Sequence, residues 1–204
     1  MAFTLELLSE EQVNALKRVA SLLQYMELQD GVLVNYYSFL LHGYNVEPWD
    51  AVPHIDVVVV TEHLPWVTKG EKVREVIPPK DTRYFGAWKE YVATHQRKYP
   101  LHLIPEPLDI VETLGVEYTF PTGERLVVCK PVENVKGFKK AIDNYSKRVL
   151  DLRQAQFDPI EINRWERKIN SIRAAVGKND EDLLSACDIS LRALGKLYRV
   201  NEFF

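Results

Sequence analysis

The segment from His54 to Val60, read as His-Ile-Asp-Val-Val-Val-Val, constrains the fold of this chain more than any other. The four residues after Asp56 are all valine, and β-branched side chains favour extended backbone. A strand that is apolar on both faces belongs inside a sheet that is covered on both sides. The chain must therefore combine a sheet with covering helices, which indicates an α/β or α+β fold.

Helical and extended patterns alternate up to about residue 130, and only helical patterns follow. Ser9 and Gln12 have the spacing of a capping box, which predicts the start of the first helix. Asp158-Pro159 has the cap and the first-turn proline that begin a later helix. The expected strands are 31–34, 54–60, 100–105, 115–120 and 125–129, and the expected helices are 10–28, 36–41, 80–96, 132–156, one that begins at 159, and 180–200.

The charge distribution divides the 204-residue chain near the same position. Residues 1–129 carry a net charge of -7, whereas residues 130–204 carry +4. Such a split argues against uniform chemistry along the chain. We therefore expect a sheet domain with an N-terminal helix over residues 1–130, and a helical C-terminal region over 131–204 that packs on it.

Several classes of protein are excluded by composition. No apolar run approaches the ~18 residues that a membrane span needs, and the first residues lack the basic-then-apolar pattern of a signal peptide. Cys129 and Cys187 cannot form a disulfide framework or a zinc site on their own, and their apolar neighbours predict buried thiols. We expect a cytoplasmic protein without a membrane partner.

The order of elements between Gly31 and Val60 is distinctive. A short strand leads into a helix that ends at His42-Gly43, and after a loop a second strand begins with His54-x-Asp56. Further on, Lys130-Pro131 leads into a Lys-rich helix. This arrangement resembles the nucleotidyltransferase superfamily, in particular its minimal and toxin-related branches. The resemblance covers residues 10–155 and implies a mixed β-sheet flanked by helices.

The resemblance also implies where the active site would lie. In that family a Gly-Ser turn after the first strand contacts the phosphate of an incoming nucleotide, and three carboxylates hold two divalent metals. Here Asn35-Tyr36 stand at the turn, and His54 and His102 stand at the first and third acidic positions, so that only Asp56 is retained. Magnesium relies on oxygen ligands, whereas two imidazoles and one carboxylate are typical of a transition metal.

The candidate catalytic and metal-ligating residues are Asp56, His54 and His102. Residues two apart on a strand share a face, and His102 is expected on the neighbouring strand. The bound ion would be a divalent metal, either Mg, Mn or Zn. In an alternative interpretation the pocket has lost its function, and Asp56 hydrogen-bonds His54 or caps a nearby turn. The candidate contacts to a nucleotide are Asn35, Tyr36, Lys136 and Lys140.

Three functions follow as hypotheses. The leading one is a degenerate nucleotidyltransferase-fold protein, a pseudoenzyme, that binds a nucleotide-like ligand or a partner without ordinary nucleotidyl transfer. The second is an active nucleotidyltransferase whose site is rebuilt around Asp56, with His54 or His102 as metal ligand or general base.

The third hypothesis is an interaction module that uses the basic helical region to bind nucleic acid or an acidic protein. Five cations of the helix after Pro131 fall on one helical face, where they can follow a phosphate backbone. They are Lys136, Lys139, Lys140, Lys147 and Arg148. Asp143, four residues after Lys139, supports the alternative that this face is an ordinary solvated one with i,i+4 pairs.

Overall fold

The computed structural model of the protein describes residues 3–67, 76–152, 158–177 and 180–201. Within these ranges the chain forms seven α-helices and a five-stranded mixed sheet, followed by a helical C-terminal region, which confirms the expected α+β class. The elements are α1 (Glu10–Tyr25), β1 (Val32–Val34), α2 (Asn35–Leu41), β2 (Ile55–Val60), α3 (Tyr84–His95), β3 (Leu101–Glu106), α4 (Leu108–Val111), β4 (Gly115–Thr119), β5 (Arg125–Cys129), α5 (Pro131–Leu152), α6 (Pro159–Ala175) and α7 (Glu181–Asn201).

The sheet has the strand order β3-β2-β1-β5-β4. Strand β2 runs antiparallel to β1 and parallel to β3, whereas β5 is parallel to β1 and antiparallel to β4. The valine-rich strand β2 therefore lies inside the sheet, and all of its residues except Asp56 are buried. Its composition explains the position, because a strand buried on both faces needs apolar side chains on both.

Most element boundaries agree with the sequence to within a few residues, and the differences have local causes. Helix α1 ends at Tyr25 because Glu27 adopts a left-handed φ of 61°, and the Leu28 N–H then bonds back to the Leu23 carbonyl. Helix α4 was not expected, since its four residues are too few to show a helical period. The expected end of the fifth long helix, residues 153–156, lies outside the described residues.

The chain divides into two compact units. The first comprises Met1–Gly43 and Asp50–Lys130, and the second comprises Tyr44–Trp49 and Pro131–Phe204. The charge change near Lys130 thus coincides with a boundary between units. Within the described ranges, every helix is too short or too polar to span a bilayer.

In the first unit, one face of the sheet carries an apolar cluster that is interrupted near the start of β2. Its buried members are Val32, Val34, Val58, Val60, Val111 and Cys129. Because Asp56 pairs with Val34 and alternate residues of a strand share a face, Asp56 points to the same side as this cluster. The polar site described below therefore lies at the end of an apolar sheet face.

The second unit is built by α5, α6 and α7, with α7 in contact with both other helices. Helix α6 begins as expected, because the Asp158 carboxylate accepts a hydrogen bond from the Ile160 N–H at 2.9 Å. Cys187 is fully buried in this unit, and burial raises the pKa of its thiol to about 11. The segment Tyr44–Trp49 also belongs to this unit. It is held there by Glu47, whose N–H donates a hydrogen bond to the Ser171 hydroxyl at 2.7 Å.

Candidate functional site

The register of three strands brings the predicted site residues together. In the parallel pair β2–β3, Asp56 lies opposite His102, and in the antiparallel pair β1–β2 it lies opposite Val34. His54 immediately precedes β2. The side chains of His54, Asp56 and His102 converge here, and each contributes one ligand atom to a group whose atoms all lie within 4.8 Å of one another.

The contacts within this His54–Asp56–His102 cluster are close. The Nδ1 atom of His102 lies 3.3 Å from Oδ1 of Asp56, and the two imidazole ring centroids are 4.2 Å apart at an interplanar angle of 67°. The Asp56 side chain is 14% exposed and that of His102 is 48% exposed. The cluster is therefore anchored at the carboxylate and accessible from solvent at His102.

Asn35 holds the carboxylate from the other side. Its amide Nδ2 donates a hydrogen bond to Oδ2 of Asp56 at 2.6 Å, so the two oxygens of Asp56 face different groups. The backbone of Asn35 is left-handed, with φ of 60°, a conformation that asparagine adopts more readily than most residues other than glycine. The turn that would be Gly-Ser in the resembled family is thus made here by a residue that also orients Asp56.

Tyr36, the other residue of this turn, lies in the core. Its side chain is 8% exposed, and its ring packs edge-on against Tyr37 with centroids 5.2 Å apart. Burial raises the pKa of its hydroxyl. The buried ring offers little surface to a ligand, and the predicted contact between Tyr36 and a nucleotide stays a prediction.

Lys136 and Lys140, the two cations predicted to contact a triphosphate, belong to helix α5 of the second unit. The Lys136 ammonium is 2.7 Å from the Glu133 carboxylate, and Lys140 is exposed. Their role as phosphate contacts stays a prediction, because the cluster on the sheet belongs to the first unit.

Two side chains, those of Asn35 and His42, make contacts that the sequence did not predict. The amide of Asn35 orients Asp56, and the signal that could have shown this is an asparagine at a strand–helix junction where left-handed backbone is common. His42, at the end of α2, is buried, and its Nε2 lies 3.0 Å from the Cys129 carbonyl. Burial lowers the pKa of His42, which favours the neutral form of its imidazole.

The types of ligand atom in the cluster determine which metal ions it could bind. A magnesium site is built from oxygen ligands in near-octahedral geometry, and one carboxylate with two imidazoles does not meet that need. A tetrahedral zinc ion, with bonds of about 2.0–2.1 Å, separates its ligand atoms by about 3.3–3.4 Å. The 3.3 Å between His102 Nδ1 and Asp56 Oδ1 matches such a spacing, whereas the three ligand atoms together are within 4.8 Å of one another. Within the described ranges this is the one group of three histidine, cysteine or acidic side chains close enough to share an ion.

Comparison with known proteins does not place the chain in a family. No protein-family model matches its sequence, and no curated protein is significantly similar to it. The fold and the site define an α+β protein with a polar His54–Asp56–His102 cluster on its sheet.

Proposed function

We propose that the protein binds a nucleotide, or a similar phosphate-bearing ligand, through one divalent transition metal held by His54, Asp56 and His102. It does so without the two-magnesium reaction of ordinary nucleotidyltransferases. The observation that carries the proposal is the strand register that sets His102 beside Asp56, with the remaining carboxylate oxygen held by Asn35.

The chemistry of the cluster supports a metal with open coordination positions. Three protein ligands of the histidine and carboxylate type are typical of zinc and related ions that also bind a water or an exogenous ligand. A hydrogen bond to the non-ligating carboxylate oxygen, here from Asn35, is the kind of outer contact that orients a ligand to a metal. The ligand class, a nucleotide, is inferred from the resemblance to nucleotidyltransferases.

Cell location follows from a separate observation. Cys129 and Cys187 are both buried and are not joined in a disulfide, and they lie in different units. Cysteines kept as thiols are usual in reducing compartments. We therefore infer that the protein works in the cytoplasm.

Metal-dependent stabilisation of the chelator-treated protein tests the proposal. A ligand at 100 times its Kd stabilises a protein by about 2.7 kcal/mol, and for a chain of this length that raises Tm by roughly 5–10 °C. We expect Zn²⁺ or Mn²⁺ to produce such a shift and Mg²⁺ to produce none. ATP, CTP, GTP or UTP should raise Tm further only when the metal is present.

Matched variants make the test specific. His102→Ala should remove the metal shift, whereas His63→Ala should keep it, because His63 pairs with Asp30 elsewhere and takes no part in the cluster. If no transition metal raises the Tm of the wild-type protein, or if His63→Ala abolishes the shift as completely as His102→Ala, the proposal is wrong.

One observation favours a second candidate, an active nucleotidyltransferase with a rebuilt site. His102 directs Nδ1 toward the Asp56 carboxylate, and such a pairing orients an imidazole so that Nε2 can act as a general base. Incorporation of a labelled nucleotide that is abolished by Asp56→Ala would establish this candidate and overturn the non-transferring one. Binding without incorporation would leave the first proposal standing.

A further inference from the structure

A groove of about 450 Å³ lies between helices α5 and α7 of the second unit. We call it the α5–α7 groove, and it is lined by Lys139, Asp143, Ser146, Ile189, Arg192, Ala193, Lys196 and Leu197. The two helices pack directly at this level of the unit, since the buried Ser190 hydroxyl donates to the Val135 carbonyl at 3.4 Å. The groove is therefore a feature of the helical unit alone, independent of the cluster on the sheet.

The groove is cationic. Three of its lining side chains are basic and one is acidic, and the acidic one, Asp143, pairs with Lys139. Within the described residues neither Arg192 nor Lys196 has a carboxylate partner, and both are exposed. Two cations beside each other without counter-ions in the fold attract an anion from solution.

The positive surface extends beyond the groove along both helices. The further exposed cations are Lys136, which pairs with Glu133, and Lys140 and Lys147 on α5, and Arg199 on α7. From Lys136 to Lys147 the helix rises by about 17 Å at 1.5 Å per residue. A row of cations of this length is longer than any single small anion. It therefore suits a polymer that carries charges at regular intervals.

The other lining residues distinguish between polymers. A protein partner usually inserts a large side chain into a desolvated apolar pocket, but the apolar lining here is Ala193, the fully packed Leu197 and the 39%-exposed Ile189. None of the described lining residues is aromatic, so no ring is available on which a base could stack. The lining thus suits a charged backbone and gives no means of reading bases or side chains.

We propose that the α5–α7 groove binds the phosphodiester backbone of a nucleic acid, independently of its base sequence. Lys139, Arg192 and Lys196 contact successive phosphates, and the Ser146 hydroxyl is available to donate to a phosphate oxygen. The cations on the outer surface of α5 and α7 extend the contact along the strand.

Salt-dependent binding of a labelled 20-nucleotide RNA to the full chain tests this proposal. For single strands, log K falls with log salt concentration by about 0.7 for each phosphate neutralised. Three groove contacts predict a slope of at least about -2. Arg192→Ala with Lys196→Ala should reduce the magnitude of the slope by about 1.4 and weaken binding about tenfold at low salt.

Two further variants keep the result interpretable. Lys89→Ala with Arg97→Ala removes two exposed cations from the first unit and should leave RNA affinity within about twofold of the wild-type value. Asp143→Asn removes the carboxylate of the groove and should increase affinity. Circular dichroism melting of each variant checks that it is folded.

Three results would overturn the proposal. The first is an RNA affinity that is absent at low salt or independent of salt concentration. The second is an equal loss of affinity in the groove variant and in the Lys89/Arg97 control. The third is a polyglutamate peptide of matched charge that binds as tightly as the RNA, which would assign the surface to acidic proteins.

Discussion

Each carboxylate oxygen of Asp56 has a different partner. These contacts matter because Asp56 is the one acidic residue of the His54–Asp56–His102 cluster. Oδ2 accepts the amide of Asn35, and Oδ1 faces His102. The contact with Asn35 occupies Oδ2 alone and leaves Oδ1 facing His102. At the scale of single residues, Asn35 is therefore the group that orients the Asp56 carboxylate.

Asn35 has two roles that substitution can separate. Asn35→Gly keeps the left-handed backbone but loses the amide, and we expect metal affinity to fall 10–100-fold, as is usual for lost outer-shell contacts. Asn35→Ala loses the amide and also strains the backbone, so it should lose the same affinity and a further ~1 kcal/mol of stability. Zinc titration and chemical denaturation measure the two effects.

The outcomes that would contradict this assignment are distinct. If Asn35→Gly binds zinc as tightly as the wild-type protein, the hydrogen bond to Asp56 does not support the site. If Asn35→Gly and Asn35→Ala are equally stable, the positive φ of residue 35 is not a constraint on the fold.

At the scale of elements, the packing of β4 against β5 depends on a glycine. Gly115 pairs with Cys129, and a Cβ at this position would collide with Cγ1 of Val127 and lie 3.2 Å from Cγ1 of Val32. Glycine in a strand often marks such a close approach. A side chain at residue 115 would therefore force Val127 or the edge strand to shift.

Gly115→Ala should destabilise the protein by about 1–3 kcal/mol, the usual cost of overpacking. Val127→Ala removes the atom that the new methyl group would meet, so the double variant should recover part of the loss. Urea denaturation of both single variants and the double variant measures the coupling. Strictly additive losses would show that Val127 is not the obstacle.

At the scale of the whole molecule, residues from the first part of the sequence complete the helical unit. The segment Tyr44–Trp49 belongs to the second unit, where the Tyr44 hydroxyl bonds to Asp180 and Trp49 is 7% exposed. The ammonium of Lys168 lies 5.6 Å from the ring centroid of Trp49. A connection between α2 and β2 thus contributes a large buried side chain to helices more than a hundred residues away.

Trp49→Ala should lower the free energy of unfolding of the helical unit by about 3–5 kcal/mol, as for other buried aromatic truncations. Hydrogen exchange should show the earliest loss of protection in α6, which contains Lys168 and Ser171. Trp66→Ala is the matched control, because it removes a tryptophan from the first unit. It should leave the amide hydrogens of α6 protected from exchange. Unchanged exchange of α6 in Trp49→Ala would mean that the segment is dispensable to the unit.

The sequence by itself determined the fold class and the types of the strands and of every α-helix except α4. The valines of β2, the capping box at Ser9 and the Asp158-Pro159 cap act over a few residues, and each element formed where its own residues favoured it. The shared face of Asp56 and its neighbours also followed from the period of two along a strand. Local chemistry was sufficient for these features because backbone preference and alternation depend on adjacent residues.

Only the tertiary structure decided which distant residues lie beside one another. The residues of β2 do not encode its neighbours, and the pairing of Asp56 with His102 depends on hydrogen bonds between segments over forty residues apart. The amide of Asn35 on Asp56 and the transfer of Tyr44–Trp49 to the helical unit depend equally on distant contacts. Such contacts form because the whole core must bury its apolar surface at once, and no short stretch of sequence contains that condition.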